Sequence, residues 1–392
     1  MPIPKLRFKA VDGNDFPEWE MKRLGDVCEY RKGQNVGANY VGTENMKQNF
    51  SGVDSLDSAN EVKGVTYCPG DTLMSNIRPY LKKTWKADRN GVCSTDVLVF
   101  RPINIDRDFL YYNISSEKFV SYVMTGVKGS KMPRGDKKHI MEYDIPIPIL
   151  PEQQKIAEFL SAIDAVLGKQ KETVSVWEER KKGVMQKLFS QEVRFKADDR
   201  SDFPDWEEKK FGDICAPLTY GMNTAAVKYD GENKYIRITD IDDESHLYKN
   251  NELVSPEGEL DDKYLVSEND ILLARTGASV GKSYLYDKKD GKLYYAGFLI
   301  KAHVKSENSK FIFYQTLTDR YARWVQVTSM RSGQPGINAN EYSEFMMYVP
   351  CLTEQQKIAD CLSSLDEVIE KQKATLAAWE ELKKGLLQQM FV

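Results

Sequence analysis

The sequence predicts an α+β protein: two mixed α/β domains separated by two long helices that form an antiparallel coiled coil, in a pseudo-two-fold circular arrangement. Three observations in the 392 residues predict it: a long segment written twice, a shorter segment written twice, and a heptad pattern along the longer one.

Residues 152–189 read EQQKIAEFLSAIDAVLGKQKETVSVWEERKKGVMQKLF, and residues 354–391 read EQQKIADCLSSLDEVIEKQKATLAAWEELKKGLLQQMF; about 22 of 38 positions agree without a gap. A second repeat precedes each variable stretch: residues 7–28 read RFKAVDGNDFPEWEMKRLGDVC, and residues 194–215 read RFKADDRSDFPDWEEKKFGDIC. Between them, 29–150 and 216–352 share almost nothing. The copies are offset by 187 residues at the short repeat and 202 at the long one, so the second variable stretch is longer by 15. The expected division is a first domain over 1–150, a helix over 151–192, a second domain over 193–352 and a second helix over 353–392. Phe189 runs into Arg194 within a few residues, whereas the counterpart of Arg194 in the other copy is Arg7. The order is circularly continuous, and the two chain ends are expected to lie close together, imitating an isologous dimer in one chain.

Along the first helix, apolar residues recur at Ile156, Leu160, Ile163, Leu167, Val174, Trp177, Val184 and Leu188. The second copy repeats them as Ile358, Leu362, Leu365, Ile369, Leu376, Trp379, Leu386 and Met390. Spacings of three and four make a heptad seam. A helix of about 38 residues is roughly 57 Å long. So narrow a stripe needs a partner, and the other copy is the obvious one. Pro151 suits a first helical turn, and Thr353 with Gln356 makes a capping-box pattern. Gln170 and Gln372 interrupt the seam at matched positions and either fix register or, like Lys181 and Lys383, merely sit at its edge.

The variable stretches read as mixed α/β. Tyr40–Thr43 and Val97–Phe100 are expected strands, with a helix over 106–125. Tyr235–Ile238, Ile271–Ala274 and Leu299–Ala302 are expected strands in the second, with a helix over 307–327. Residues 63–89 carry Lys63, Arg78, Lys82, Lys83, Lys86 and Arg89 against Asp71 and Asp88. Residues 128–138 carry Lys128, Lys131, Arg134, Lys137 and Lys138 against Asp136. Such loops suit phosphates, with Asn76 and Arg78 reading base edges and Tyr80, Lys82, Lys131 and Arg134 around them; equally, they are what a solvated surface looks like. In the second stretch the candidates are Arg237, Arg275, Thr276, Ser279, Arg331, Ser332, Gln334 and Asn338. The glycines among these loops either admit a duplex closely or serve as turn residues. The acidic run 240–262 would repel phosphate and is expected to face solvent or a protein partner.

Other chemistries find little material. Residues 277–283, GASVGKS, miss the phosphate-cradling pattern because Thr276 stands where its first glycine belongs. Asn76-Ile77-Arg78-Pro79-Tyr80 is not the contiguous run of an adenine methyltransferase, and Asp261-Asp262-Lys263 is weak support for a nuclease. Six cysteines lie far apart and there are three histidines, which argues against a structural metal site or a disulfide framework. No catalytic constellation emerges, a reducing cytoplasm is the expected location, and no apolar run approaches a membrane span. The net charge of −4 speaks mildly against nucleic acid, so any DNA surface has to be local.

Phe16-Pro17-x-Trp19 and Phe203-Pro204-x-Trp206, each followed by Gly-Asp, resemble openings of target-recognition domains in type I restriction–modification specificity subunits. Gly70-Asp71-x-Leu73 and Asn269-Asp270-Ile271-Leu272 are similar to a motif inside those domains. Residues 151–157, PEQQKIA, and 353–359, TEQQKIA, resemble the starts of that family's spacer helices. The resemblance covers the whole chain. It implies a bipartite DNA site, one half per domain, with a gap set by the helices. It also implies partners: two methyltransferase subunits using S-adenosylmethionine on adenine N6, joined by restriction subunits that use ATP and Mg2+. This chain would need no cofactor and supply no chemistry. Two rival classes remain: a stand-alone bidentate DNA-binding regulator, which a pull-down lacking any methyltransferase would favour, and a coiled-coil scaffold, which leaves the divergence of the domains unexplained.

Overall fold

Period-two alternation in the central strands explains the architecture of both halves, because their alternate residues enter two different cores. The computed structural model describes residues 4–330 and 334–391. It divides into two compact units: the described parts of Met1–Thr173 with Gln372–Val392, and Val174–Lys371.

In unit 1, β1 (Glu20–Arg23) leads through the short α1 (Leu24–Val27) to β2 (Cys28–Tyr30), β3 (Gln34–Gly37), β4 (Val62–Tyr67), β5 (Thr72–Ser75), β6 (Thr84–Lys86), β7 (Gly91–Cys93) and β8 (Val97–Pro102). Helices α2 (Arg107–Ile114), α3 (Glu117–Thr125) and α4 (Lys137–Met141) follow, then β9 (Asp144–Ile147) and the long α5 (Leu150–Phe189). The sheets are β2-β8-β5-β6, β3-β4-β7 and the pair β1-β9, all antiparallel. Met74, Leu98 and Phe100 face the helices, and Leu73, Val97 and Val99 face the three-stranded sheet with Tyr67 and Trp85. Both faces are covered, so these strands read as continuous apolar runs rather than alternating ones.

Unit 2 repeats the plan despite the divergent sequence. Its elements are β10 (Glu207–Lys210), α6 (Phe211–Ile214), β11 (Thr219–Tyr220), β12 (Ala226–Lys228), β13 (Lys234–Ile236), β14 (Val254–Pro256), β15 (Asp270–Ala274), β16 (Ser283–Leu285), β17 (Leu293–Tyr295) and β18 (Leu299–His303). Then come α7 (Ser309–Gln315), α8 (Asp319–Ser329), α9 (Ala339–Ser343), β19 (Met346–Val349) and the long α10 (Leu352–Met390). The sheet β11-β18-β15-β16 corresponds strand for strand to β2-β8-β5-β6, and β10-β19 to β1-β9. Ile271, Leu273 and Ile300 enter one core, and Leu272, Ala274 and Leu299 the other. Beyond them, unit 1 has the three-stranded β3-β4-β7, whereas unit 2 has the pair β12-β14 and the parallel pair β13-β17, the latter matching the isolated parallel bridge of Val41 to Cys93 in unit 1.

Each unit takes the start of one long helix and the end of the other, running antiparallel. In unit 1, Ile156, Leu160, Ile163 and Leu167 of α5 share a core with Leu376, Trp379, Leu386, Met390 and Phe391, and also with the domain's own Phe109, Phe119 and Val123. In unit 2, Ile358, Leu362 and Leu365 meet Val184, Met185 and Leu188 together with Phe311 and Ile312. The apolar stripe is therefore a three-way core, where the sequence suggested a two-helix seam. Val174 and Ile369 are buried and Trp177 half-buried. Gln170 Nε2 donates to Gln372 Oε1 at 2.8 Å and to its carbonyl at 3.0 Å, so the matched glutamines do meet. The ends of the chain close on each other in unit 1, where Leu6 N donates to Gln389 O at 3.2 Å.

Several sequence expectations are corrected. The helices expected over 106–125 and 307–327 are each broken in two, because Ser116 accepts from Phe119 N and Thr318 from Tyr321 N, starting new helices. Tyr40–Thr43 is not a strand: Val41 makes one isolated bridge to Cys93, and Asn45 Oδ1 caps a turn at Gly42 N. The strand expected over Tyr235–Ile238 stops at Ile236, where Asp240 draws Arg237 into a tight turn. Thr353 lies inside α10, whose first turn is closed by Gln355 N on Cys351 O, so it caps nothing. The acidic run is not wholly outward: Asp240 is buried against Arg237, and Asp243 pairs with Lys282. No helix among the described residues is long and apolar enough to cross a membrane.

Candidate nucleic-acid interface

The repeated PEQQKIA and TEQQKIA segments prove to be fasteners. Glu152, fully buried at the start of α5, takes both arms of the Arg7 fork (3.0 and 2.8 Å) and the Trp19 indole N–H (3.2 Å). Glu354 does the same with Arg194 (3.1 and 2.7 Å) and Trp206 (3.2 Å). Each arginine also donates to the carbonyls of the Phe-Pro pair, Phe16-Pro17 or Phe203-Pro204. The neighbouring glutamines bond the N-caps of the earlier helices α2 and α7: Gln153 Oε1 accepts from Asp106 N (2.8 Å) and Gln355 Oε1 from Asn308 N (2.9 Å). Bidentate, charge-assisted bonds of this kind fix orientation as well as energy, and here they lock the short repeat, the helix start and the variable domain together.

With that frame fixed, each central strand delivers a loop to the same place. In unit 1, β5 runs into residues 76–83, which dock on residues 127–136. Asn76 O accepts from Gly135 N (3.2 Å), Ile77 bridges Arg134, and Arg78 N donates to Pro133 O (2.8 Å). In unit 2, β15 runs into residues 275–282, docked on 334–338. Arg275 O accepts from Ile337 N (2.9 Å), Thr276 bridges Gly336, and Gly277 N donates to Pro335 O (3.0 Å). The aspartates opening the two strands anchor both frames. Asp71 holds Arg31 and Cys68 N, while Asp270 holds His303 and Ser267 N.

The strand register makes Arg78 the counterpart of Gly277 and Lys82 the counterpart of Gly281. All four have left-handed backbones, with φ of 49° and 55° for the cations and 74° and 87° for the glycines. A non-glycine residue there costs roughly 1 kcal/mol or more and persists where something else requires it. Arg78 is exposed and forms no ion pair among the described residues, and the same holds for Lys131. Tyr80 is exposed between Arg78 and Lys82.

Other candidates are already engaged. Lys82 pairs with Glu117 (2.6 Å), and Arg134 with Asp96 (3.0 Å). Lys128 bonds Asp136 at 2.6 Å, and that bond, with two backbone N–H groups, holds the Asp136 carboxyl down at about 2. Asn76 is buried beneath the loop junction, its Oδ1 without a hydrogen-bond partner among the described residues, so its backbone joins the loops. Arg237 is clamped by Asp240 at 2.7 and 2.8 Å, which raises its pKa further. Arg275 lies 4.8 Å from the centre of the Tyr220 ring. Thr276 and Ser279 are half-buried, Gln334 is exposed, and Asn338 caps α9 by accepting from Glu341 N (2.9 Å). Arg331 and Ser332 lie outside the described residues.

Sequence reasoning missed Asp96, Tyr220 and Phe298, which adjoin these loops only through strand pairing. It also missed the Arg–Glu–Trp fasteners, although every member recurs at matched positions in both repeats.

The family described as type I restriction modification DNA specificity domain matches residues 17–174 and again 204–378. The MjaVIII type I restriction enzyme specificity subunit of Methanocaldococcus jannaschii is 26% identical over 410 residues, covering 97% of this chain and 94% of that protein. An S subunit of a type I restriction–modification system from M. genitalium shares the fold with a TM-score of 0.60 at 15% identity, over 99% of both chains. A chain from work on complex assembly and conformational transition of the type I R-M system does so at a TM-score of 0.55 and 17% identity, over 96% of this chain and 98% of that one.

Proposed function

The chain belongs to the type I restriction–modification DNA specificity family, and from that premise we propose that it is the sequence-reading subunit of such an enzyme. Each unit reads one half of a bipartite, asymmetric DNA site. The helices shared by both units set the gap, and the chain assembles two methyltransferase subunits and, with them, restriction subunits. The partners bring S-adenosylmethionine, ATP and Mg2+, and the chemistry is theirs. This chain supplies specificity.

One observation carries the reading. Two variable domains build the same docked loop pair on the same strand ends, yet fill it with different side chains: Arg78, Tyr80 and Lys82 in one, Arg275, Gln334 and glycines in the other. A kept frame with changed chemistry is what two readers of unlike sequences require. The overall charge of −4 fits partner subunits that close around the duplex and share its phosphate contacts.

The test is an adenine-methylation map of the host genome with and without the gene. Loss of a single split motif on deletion supports the proposal. Unchanged methylation, together with a pull-down that brings no methyltransferase, would favour a stand-alone DNA-binding protein.

A further inference from the structure

Unit 2 presents a large aromatic side chain beside its loop junction that is left mostly uncovered among the described residues. Phe298 sits in the turn between β17 and β18 and is 61% exposed, although Ala296 and Leu299 around it are buried. The turn is rigid. Gly297 N donates to Met222 O (2.7 Å), Ala296 N to Ile236 O (3.0 Å) and Leu299 N to Ala296 O (2.8 Å), while the Phe298 carbonyl accepts from Arg275 N (3.1 Å). The facing strand comes so close that a Cβ on Gly221 would stand 2.3 Å from Ala296 O. The ring is therefore carried by fixed backbone, directly next to the candidate reader Arg275, whose guanidinium is already oriented over Tyr220.

The same position in unit 1 is identified by its hydrogen bond: Asn76 N donates to Asp96 O (2.8 Å), as Arg275 N does to Phe298 O. There the side chain is a carboxylate that pairs with Arg134 of the docked loop (3.0 Å). One frame thus holds an acceptor in one unit and an apolar ring in the other. Single exposed apolar residues are ordinary on protein surfaces; this one is distinguished by its rigid mount, its arginine neighbour and the polar residue at the matched position. Met330, next to Ser329 whose carbonyl accepts from Gly336 N of the docked loop (3.4 Å), is also exposed, at 70%.

We propose that Phe298 is a specificity-determining residue, packing its ring against the C5-methyl group of a thymine in the half-site read by unit 2. Of the four bases only thymine offers an apolar group in the major groove, and aromatic and other apolar side chains read it by contact. This rests on the DNA-recognition reading above.

The experiment uses the chain assembled with its methyltransferase partners and duplexes carrying the split motif from the methylation map. Each thymine is replaced singly by deoxyuridine, which removes the methyl group and leaves base pairing intact. For the wild-type complex, one substitution, in one half only, is expected to weaken binding about tenfold. Phe298→Ala is expected to lose the same factor on the thymine duplex and nothing more on the deoxyuridine duplex, while Phe298→Leu keeps most of the discrimination. Equal wild-type affinity for every deoxyuridine duplex overturns the proposal, and that scan depends on no variant folding. So does a Phe298→Ala complex that keeps full sensitivity to the missing methyl, or one that no longer retains its methyltransferase, which would make Phe298 a subunit contact. If wild-type cells yield no split motif at all, it is the functional reading that fails.

Discussion

At the scale of the residue, buried charge and left-handed backbone carry the most information. Glu152 and Glu354 are wholly enclosed and neutralised by a single arginine each, 20% and 23% exposed. Removing one carboxylate leaves an arginine and an indole N–H without their acceptor. Glu152→Ala is expected to cost about 3 kcal/mol, read as a lower denaturation midpoint, with Glu354→Ala matching it. If either were silent, the fastener would be ornamental. Arg78→Gly should separate stability from function: it releases left-handed strain of about 1 kcal/mol, partly offset by glycine's chain entropy, so melting should hold or rise while affinity for DNA falls. A protonation test exists as well. The folded-state pKa of Asp136, about 2, lies below its usual 3.8. Its contribution to the unit 1 loop is thus complete above the unfolded value and lost as pH falls through about 2. A carboxyl NMR titration midpoint near 3.8 would show the Lys128 bond to be absent in solution.

At the scale of the element, the long helices are tied to both domains by a matched triad. Tyr112 Oη donates to Asp164 (2.8 Å), which pairs with Lys383; Tyr314 Oη donates to Asp366 (2.6 Å), which pairs with Lys181. The lysines that sat at the seam edge in sequence therefore hold the register of one helix against the other and against a domain helix. Asp164→Ala should cost about 1–2 kcal/mol, and a double-mutant cycle with Lys383→Ala should be non-additive. Additive losses would deny the coupling. The helices and their starts were legible because a 3.5-residue period survives in both copies. The two breaks at Ser116 and Thr318 were not, since a hydroxyl residue within an amphipathic pattern announces a cap only once the next turn is known to lack a partner. The strand ending at Ala274 was readable as an apolar run, whereas that ending at Ser75 was not read as a strand, and which loops the two meet depends on pairing between residues some 60 positions apart, which no local pattern encodes.

At the scale of the whole molecule, the circular order read from two repeats has a physical counterpart in the closure of Leu6 on Gln389 and of Phe391 on Phe109 (ring centroids 5.5 Å apart), mirrored by Phe189 on Phe311 (5.6 Å). Two units share the four-stranded sheet, the strand pair before the long helix and the helices, and differ in their outer sheets and their loops. The candidate site was legible as two loop pairs, yet not as individual contacts: of the eleven basic residues counted in the unit 1 stretches, three pair with acids from elsewhere, Glu117 on Lys82, Asp108 on Lys86 and Asp96 on Arg134. Among the described residues, the exposed cations of the unit 1 loops without an ion pair include Arg78 and Lys131. The measurement that bears most directly on the account is the methylated motif in hosts expressing the wild-type chain, Arg78→Ala or Arg275→Ala. The account predicts a split motif in which Arg78→Ala relaxes or abolishes one half and Arg275→Ala the other. A continuous motif, or two substitutions that act on the same half, would contradict it.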